Sequence, residues 1–381
     1  MISSPLLYLF TLALIATVFS VLELKTKAKF FKFVPAVVFI YAFSMMAASF
    51  GVFEYTDEVT NIYKKTKTNL LPAMLFLMLL SVDIRVFFKL GKKLIISYVL
   101  AVLSIAFAFI FISFLFNFDE QMSGAFGALA GSWMGGTANM VAVGSALHVE
   151  EGAFGYALIV DSVNYTLWVA LLLFLVPFSS IFNKFVDAKS SDEVLGAIGC
   201  ACNMGVKRYW LLILLAIVVS LLVQLIAAKL ASQGLLFVSS TTTMVVLATI
   251  FGVVGSFTKL KNLNGSSEVA NSMLYMLIAL IGSRAVFEEF SGVGIYVLAG
   301  FFILFTHAII MMIGAKIFKL DLFSISVASL ANIGGVASAP ILAATYNKAL
   351  VSVGVLMAIM GYIIGTFGGL AVASLLFILS Q

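Results

Sequence analysis

Gly135, Gly136, Thr137 and Asn139 stand within the run GSWMGGTANMVAV, and Asn332, Gly334, Gly335 and Ser338 within ANIGGVASAPILA, about 200 residues further on. Each run sets a glycine pair, a hydroxyl and a carboxamide into an otherwise hydrophobic segment. A glycine in a helix interior costs about 1 kcal/mol against alanine. Matched interruptions of this kind in two halves of a membrane chain point to a transporter binding site. Freed carbonyls and the Asn139 oxygen suit a sodium ion, and the N-termini of half-helices suit an anionic solute. A third candidate is Asp161, alone as a charge within ALIVDSVNYTLWVALL, with Asn164 three residues on and so on the same helical face. A carboxylate at that depth costs roughly 2.5–3.5 kcal/mol on insertion scales, and such residues face a cavity, bind an ion or carry a proton. Asp161 and Asn164 are therefore read as the ion-coupling pair, with Asn139 and Asp161 as candidate sodium ligands.

Each reading has a plainer competitor. Gly127, Gly131 and Gly135 recur every four residues, which suits close packing of a second backbone as well as any site. Pro340 weakens the second run further, since proline removes a donor and clashes with the preceding turn. A kink with no ligand would look the same. Asp161 would also serve as a structural hydrogen-bond partner of a neighbouring helix.

The elements that must position these groups are membrane helices. Apolar residues make up 63% of the chain and charged residues 10%, against roughly 25% charge in soluble domains. About twelve hydrophobic spans of the length a bilayer requires succeed one another. The spans at 123–147 and 322–345 carry the glycine pairs and are expected to be broken. A net charge of +5 needs no nucleic-acid partner, because lysines flanking membrane helices account for it. Cys200 and Cys202 are one residue apart in a polar linker and have no metal-site spacing. The first segment reads as a retained helix, since a basic n-region and a cleavage site are missing from it. The expected organisation is a first transmembrane half over 1–183, a polar linker over 184–208 and a second half over 209–381.

The halves look related. LPAMLFLMLLSVDIRVFFKL in the first answers NSMLYMLIALIGSRAVFEEF in the second; an apolar span, a glycine break and a long final helix follow in both. Lys25, Lys27, Lys29, Lys32, Arg85, Lys89, Lys92 and Lys93 fall on one side, which the positive-inside rule makes cytoplasmic. The basic breaks of the second half fall on the opposite side if twelve simple spans are counted. Charge thus favours inverted halves and the count does not.

Asp83, Arg85 and Arg284 sit at span ends, where arginine snorkels, so they read as anchors. His307 lies in an apolar span and is read either as a proton relay or as a hydrogen-bonded core residue. The hydroxyl run Ser239–Thr243 opens one span, where local bonds to backbone account for it. Zincin, Walker and nucleophile-elbow motifs are missing, so an enzyme is not expected.

At the glycine motifs the chain resembles the YjcL-like family of bacterial membrane proteins. GGTANMVAV at Gly135–Val143 is similar to that family's GGSxNxxAV, ANIGGVASA at Ala331–Ala339 to its ANxGGPATA, and GYIIGT at Gly361–Thr366 to its GYxxGT. Its aspartate followed by asparagine corresponds to Asp161 and Asn164. Val336 replaces the family's proline and Ser338 its threonine. The resemblance implies the superfamily of cation/proton antiporters and bile-acid-type sodium symporters, with inverted repeats, a core and a panel domain, two broken helices crossing near the midplane, and a homodimer through panel helices.

The expected fold is therefore all-α, about twelve transmembrane helices in two related halves. The leading expectation is a secondary transporter of the bacterial inner membrane. It would couple sodium or proton flow to a small anionic organic solute, with no cofactor beyond the coupling ion. The alternatives are a cation/proton antiporter without organic substrate and a non-transporting receptor or assembly protein.

Overall fold

The structure, a computed structural model, describes residues 1–26, 36–80, 90–188, 205–233, 240–263, 265–285, 292–347 and 350–380. Asp83, Arg85, Cys200, Cys202 and Ser239 lie outside the described residues. Along the chain the helices are α1 (Pro5–Thr26), α2 (Ala36–Ser49), α3 (Asp57–Leu80), α4 (Lys92–Phe116), α5 (Glu120–Gly135), α6 (Thr137–Ala146), α7 (Glu151–Leu175) and α8 (Ser179–Phe185). They continue with α9 (Val206–Ser232), α10 (Ser240–Ser256), α11 (Ser266–Gly282), α12 (Val293–Phe318), α13 (Leu322–Ile333), α14 (Gly335–Tyr346) and α15 (Val351–Leu379). Among the described residues six helices are long and apolar enough to cross a membrane, and four shorter apolar helices accompany them. The protein is an all-helical, multi-pass membrane protein. The linker expected over 184–208 is helical at both ends, because α8 runs to Phe185 and α9 starts at Val206.

The chain forms two compact units. The first comprises Met1–Ser81, Gly144–Ser162 and Cys202–Val293, and the second Val82–Val143, Val163–Ala201 and Gly294–Gln381. Each draws on both halves of the sequence. In the first unit α3 packs against α9, α10 and α11, and α11 against α2. Small residues allow this. A Cβ at Gly252 of α10 would meet the Leu79 side chain and, at 3.2 Å, the Phe76 carbonyl, while one at Gly282 of α11 would lie 2.6 Å from the Tyr41 carbonyl.

Along the chain a long helix, an interrupted pair and a long helix follow one another twice: α4, α5–α6 and α7, then α12, α13–α14 and α15; of these, Gly144–Ser162, the end of α6 and the first half of α7, belong to the first unit. Asp119 starts the first interrupted pair, its carboxylate accepting the Met122 N–H at 2.8 Å, which satisfies one of the free donors of a helix N-terminus. The organising element is α15. It packs against α5, α13, α14 and α4, and Gly354, Gly361, Gly365 and Gly369 recur along it at helical spacing.

Candidate functional site

The first interruption is a single residue. Gly136 has φ +87° and ψ 171°, a conformation that a Cβ makes costly. α6 restarts at Thr137, which is half-buried. Asn139 lies in the first turn of α6, and its side chain is fully used. Nδ2 donates to the Gly135 carbonyl at 2.8 Å and to the Gly361 carbonyl at 3.4 Å, while Oδ1 accepts the Thr366 hydroxyl at 2.5 Å. Asn139 and Thr366 are both buried, and hydrogen bonds strengthen where water is excluded. The amide thus clamps the break to α15 and is not a vacant ligand in this conformation.

Backbone contact makes the clamp reachable. A Cβ at Gly361 would lie 2.8 Å from the Met134 carbonyl and 2.9 Å from the Gly135 Cα. One at Gly365 would meet the Gly131 carbonyl at 2.8 Å, and one at Gly369 the Gly131 Cα at 2.7 Å. Gly131 and Gly135 therefore do serve close packing, as their four-residue spacing suggests.

The second interruption is built from the same residue types and leaves more unmade. α13 ends at Ile333, and Gly335 opens α14 with φ +60°. Asn332 donates Nδ2 to the Ala328 carbonyl at 2.8 Å. Its Oδ1 is buried and has no hydrogen-bond partner among the described residues. The same holds for Ser338 Oγ, which lies against Gly334. Gly354 of α15 comes so close that a Cβ there would be 2.7 Å from the Ala339 carbonyl and 2.9 Å from the Pro340 nitrogen. An unpartnered buried polar atom costs about 1–3 kcal/mol, so two beside one interruption mark the place where a ligand would recover energy. Both oxygens accept, which suits a cation or a donor group, and the Ser338 hydroxyl can also donate to an anion.

Asn164 is buried on α7 and donates Nδ2 to the Val297 carbonyl of α12 at 3.2 Å. Asp161 is half-buried on the same helix. The pair shares a helix but not a compact unit, since the division falls after Ser162. Among the described residues no three His, Cys, Asp or Glu side chains gather as a metal site. A sodium site here would rest on carbonyl, amide and hydroxyl oxygens.

His307 belongs to a closed chain of bonds. Ser104 Oγ donates to the Ala101 carbonyl at 2.8 Å and so accepts from His307 Nδ1 at 2.7 Å. Nε2 then accepts from Ser329 Oγ at 2.8 Å, which itself accepts the Trp168 indole N–H at 2.9 Å. One neutral tautomer satisfies every group, the arrangement of a hydrogen-bonded core histidine. His307→Leu takes the acceptor from the Ser329 hydroxyl and the donor from Ser104, and is expected to lower stability by about 2 kcal/mol. His307→Gln, which can span part of the chain, should lose less. Thermal unfolding of the two variants checks the difference.

Arg284, expected at a span end, is held by aromatic rings. Its guanidinium carbon lies 4.5 Å from the Tyr55 ring centre and 4.7 Å from that of Tyr63, and Nη2 donates to Thr60 Oγ1 at 3.1 Å. Stacking on two aromatic faces offsets desolvation of the cation. Tyr63 in turn donates to Glu151 Oε1 at 2.6 Å, and Lys67 stands 3.7 Å from the same oxygen. Thr60, Tyr63 and Lys67 share α3 at three- and four-residue spacing, whereas Glu151 and Arg284 come from segments far apart in the chain.

A family model described as "Protein of unknown function (DUF819)" matches residues 10–379. No curated protein matches the chain.

Proposed function

The chain belongs to the DUF819 family, which names no activity, and from its own residues we propose that it is a secondary active transporter. It couples sodium or proton flow to movement of a small organic solute, anionic in the leading reading, by alternating access. The observation that carries this is the pair of unpartnered buried oxygens, Asn332 Oδ1 and Ser338 Oγ, beside the Gly334–Gly335 interruption. Irregular backbone at membrane depth is tolerated where it is buried in protein or lines a cavity, and broken helices of this kind hold solute and ion in known transporter folds. The resemblance to YjcL-like proteins, and through them to cation/proton antiporters and bile-acid-type symporters, supports the same reading. So does the repeated order of long helix, interrupted pair and long helix. On this reading the halves are inverted repeats of about twelve spans in the bacterial inner membrane. Thr137 and Ser338 face the solute, Asp161 holds the coupling ion, and the protein pairs as a homodimer.

Melting of the purified protein in sodium against potassium at matched ionic strength, across pH, tests the coupling. A ligand that binds only the folded state raises apparent stability by mass action. A sodium-specific rise that Asp161→Asn removes is the expected result. A pH-dependent shift removed by the same substitution, with no sodium effect, would make Asp161 a proton site. If neither appears, cation coupling at Asp161 is refuted. Proton release from vesicles on adding sodium alone would make the protein an antiporter.

A further inference from the structure

The first compact unit holds a cavity of about 450 Å³ that the transport reading does not use. It lies where the polar first half of α3, the turn between α6 and α7, and the first turn of α10 meet. Lys64, Lys67, Glu150 and Glu151 line it, two charges of each sign. Leu71, Pro72, Met244 and Val245 form an apolar wall. Ser145, 7% exposed, also lines it, and its Oγ has no hydrogen-bond partner among the described residues.

Glu151 Oε1 takes the Tyr63 hydroxyl at 2.6 Å and pairs with the Lys67 ammonium at 3.7 Å, a long ion pair, while Lys67 also donates to the Tyr63 hydroxyl at 3.4 Å. Burial pulls the Lys67 ammonium below its usual range, with the Glu151 carboxylate opposing that shift. Lys67 would therefore gain from a second anionic neighbour. A lone anion would face two carboxylates and a lone cation two lysines, so the lining as a whole opposes either sign by itself. A molecule carrying both charges meets a complement for each, and its apolar part has a wall to cover. The α10 N-terminus beside Thr241 adds partial positive charge, and the α6 C-terminus beside Ser145 adds partial negative charge.

We propose that this cavity binds a small zwitterionic solute of the α-amino acid class, its carboxylate toward Lys67 and its ammonium toward Glu150 and Glu151. The site is independent of the glycine interruptions and of the transport reading.

Calorimetry on the purified full chain tests it with L-leucine, L-alanine, 4-methylpentanoate and 3-methylbutylamine. The last two carry only one of the two charges. L-leucine should bind, with each singly charged relative at least about tenfold weaker, the loss expected for one charge-assisted contact. Lys67→Gln should weaken L-leucine by about tenfold. Ser145→Leu, which narrows the cavity while keeping all charges, should weaken L-leucine by at least about tenfold, and Asn332→Leu should leave its binding intact. Melting curves of the variants show whether each is folded. Silence with both amino acids overturns the proposal. So does 4-methylpentanoate binding as tightly as L-leucine, or binding that survives Ser145→Leu and fails in Asn332→Leu.

Discussion

Gly361→Val is expected to prevent assembly of the second compact unit. The Cβ position at Gly361 lies 2.8 Å from the Met134 carbonyl and 2.9 Å from the Gly135 Cα, so the new side chain meets main chain on both sides. Overpacking against side chains costs about 1–3 kcal/mol because neighbours can rotate away. Backbone inside a helix cannot, so the loss should exceed about 4 kcal/mol and leave no cooperative melting. Separation of α15 from α5 would also break the Asn139 contacts to Gly361 and Thr366. Fluorescence-detected size exclusion and the emission of Trp133, buried on α5, provide the readout. Gly294→Ala is the control, because a Cβ there meets nothing within 4 Å. That change should raise stability slightly, as alanine does in a helix. A folded Gly361→Val protein with wild-type melting would refute the backbone contact.

The second large effect separates the two asparagines. Asn139→Leu removes the acceptor of the Thr366 hydroxyl and the donor to two carbonyls. Leaving such groups buried and unpaired should cost about 3 kcal/mol. Asn332→Leu removes an oxygen that has no partner among the described residues and a single local bond to the Ala328 carbonyl. Its cost should fall below about 1 kcal/mol. Paired melting curves of the two variants decide the matter. Equal destabilisation by both substitutions would show that Asn332 is structural too.

This asymmetry also marks how far the residues could be read without coordinates. Both interruptions are legible because a glycine pair weakens an apolar helix unless the chain breaks or packs closely there, and the breaks fall at Gly136 and at Gly334–Gly335. The packing role of Gly131 and Gly135 is legible from their spacing, although its partner is not. The difference between Asn139 and Asn332 is invisible, since each stands beside a glycine pair in a similar run. Only the arrival of Thr366, more than 200 positions away, commits one amide and leaves the other. The partners of Arg284 are hidden for a related reason, since the aromatic faces against its guanidinium belong to Tyr55 and Tyr63, more than 200 positions earlier. Grouping of helices into compact units likewise depends on contacts between segments far apart in the chain.

The Asn139 clamp has a consequence for biogenesis. Its partners on α15 follow it by 222 and 227 positions. At roughly 5–20 residues per second, synthesis delivers them on the order of ten seconds or more after Asn139 itself. During that interval the amide and the glycine face of α5 are already made while their complement is still untranslated. A nascent chain stalled before Gly361 would carry an unmade polar contact and an open backbone groove. Completion of α15 is therefore the late step that supplies the partners of the Asn139 amide and closes the groove.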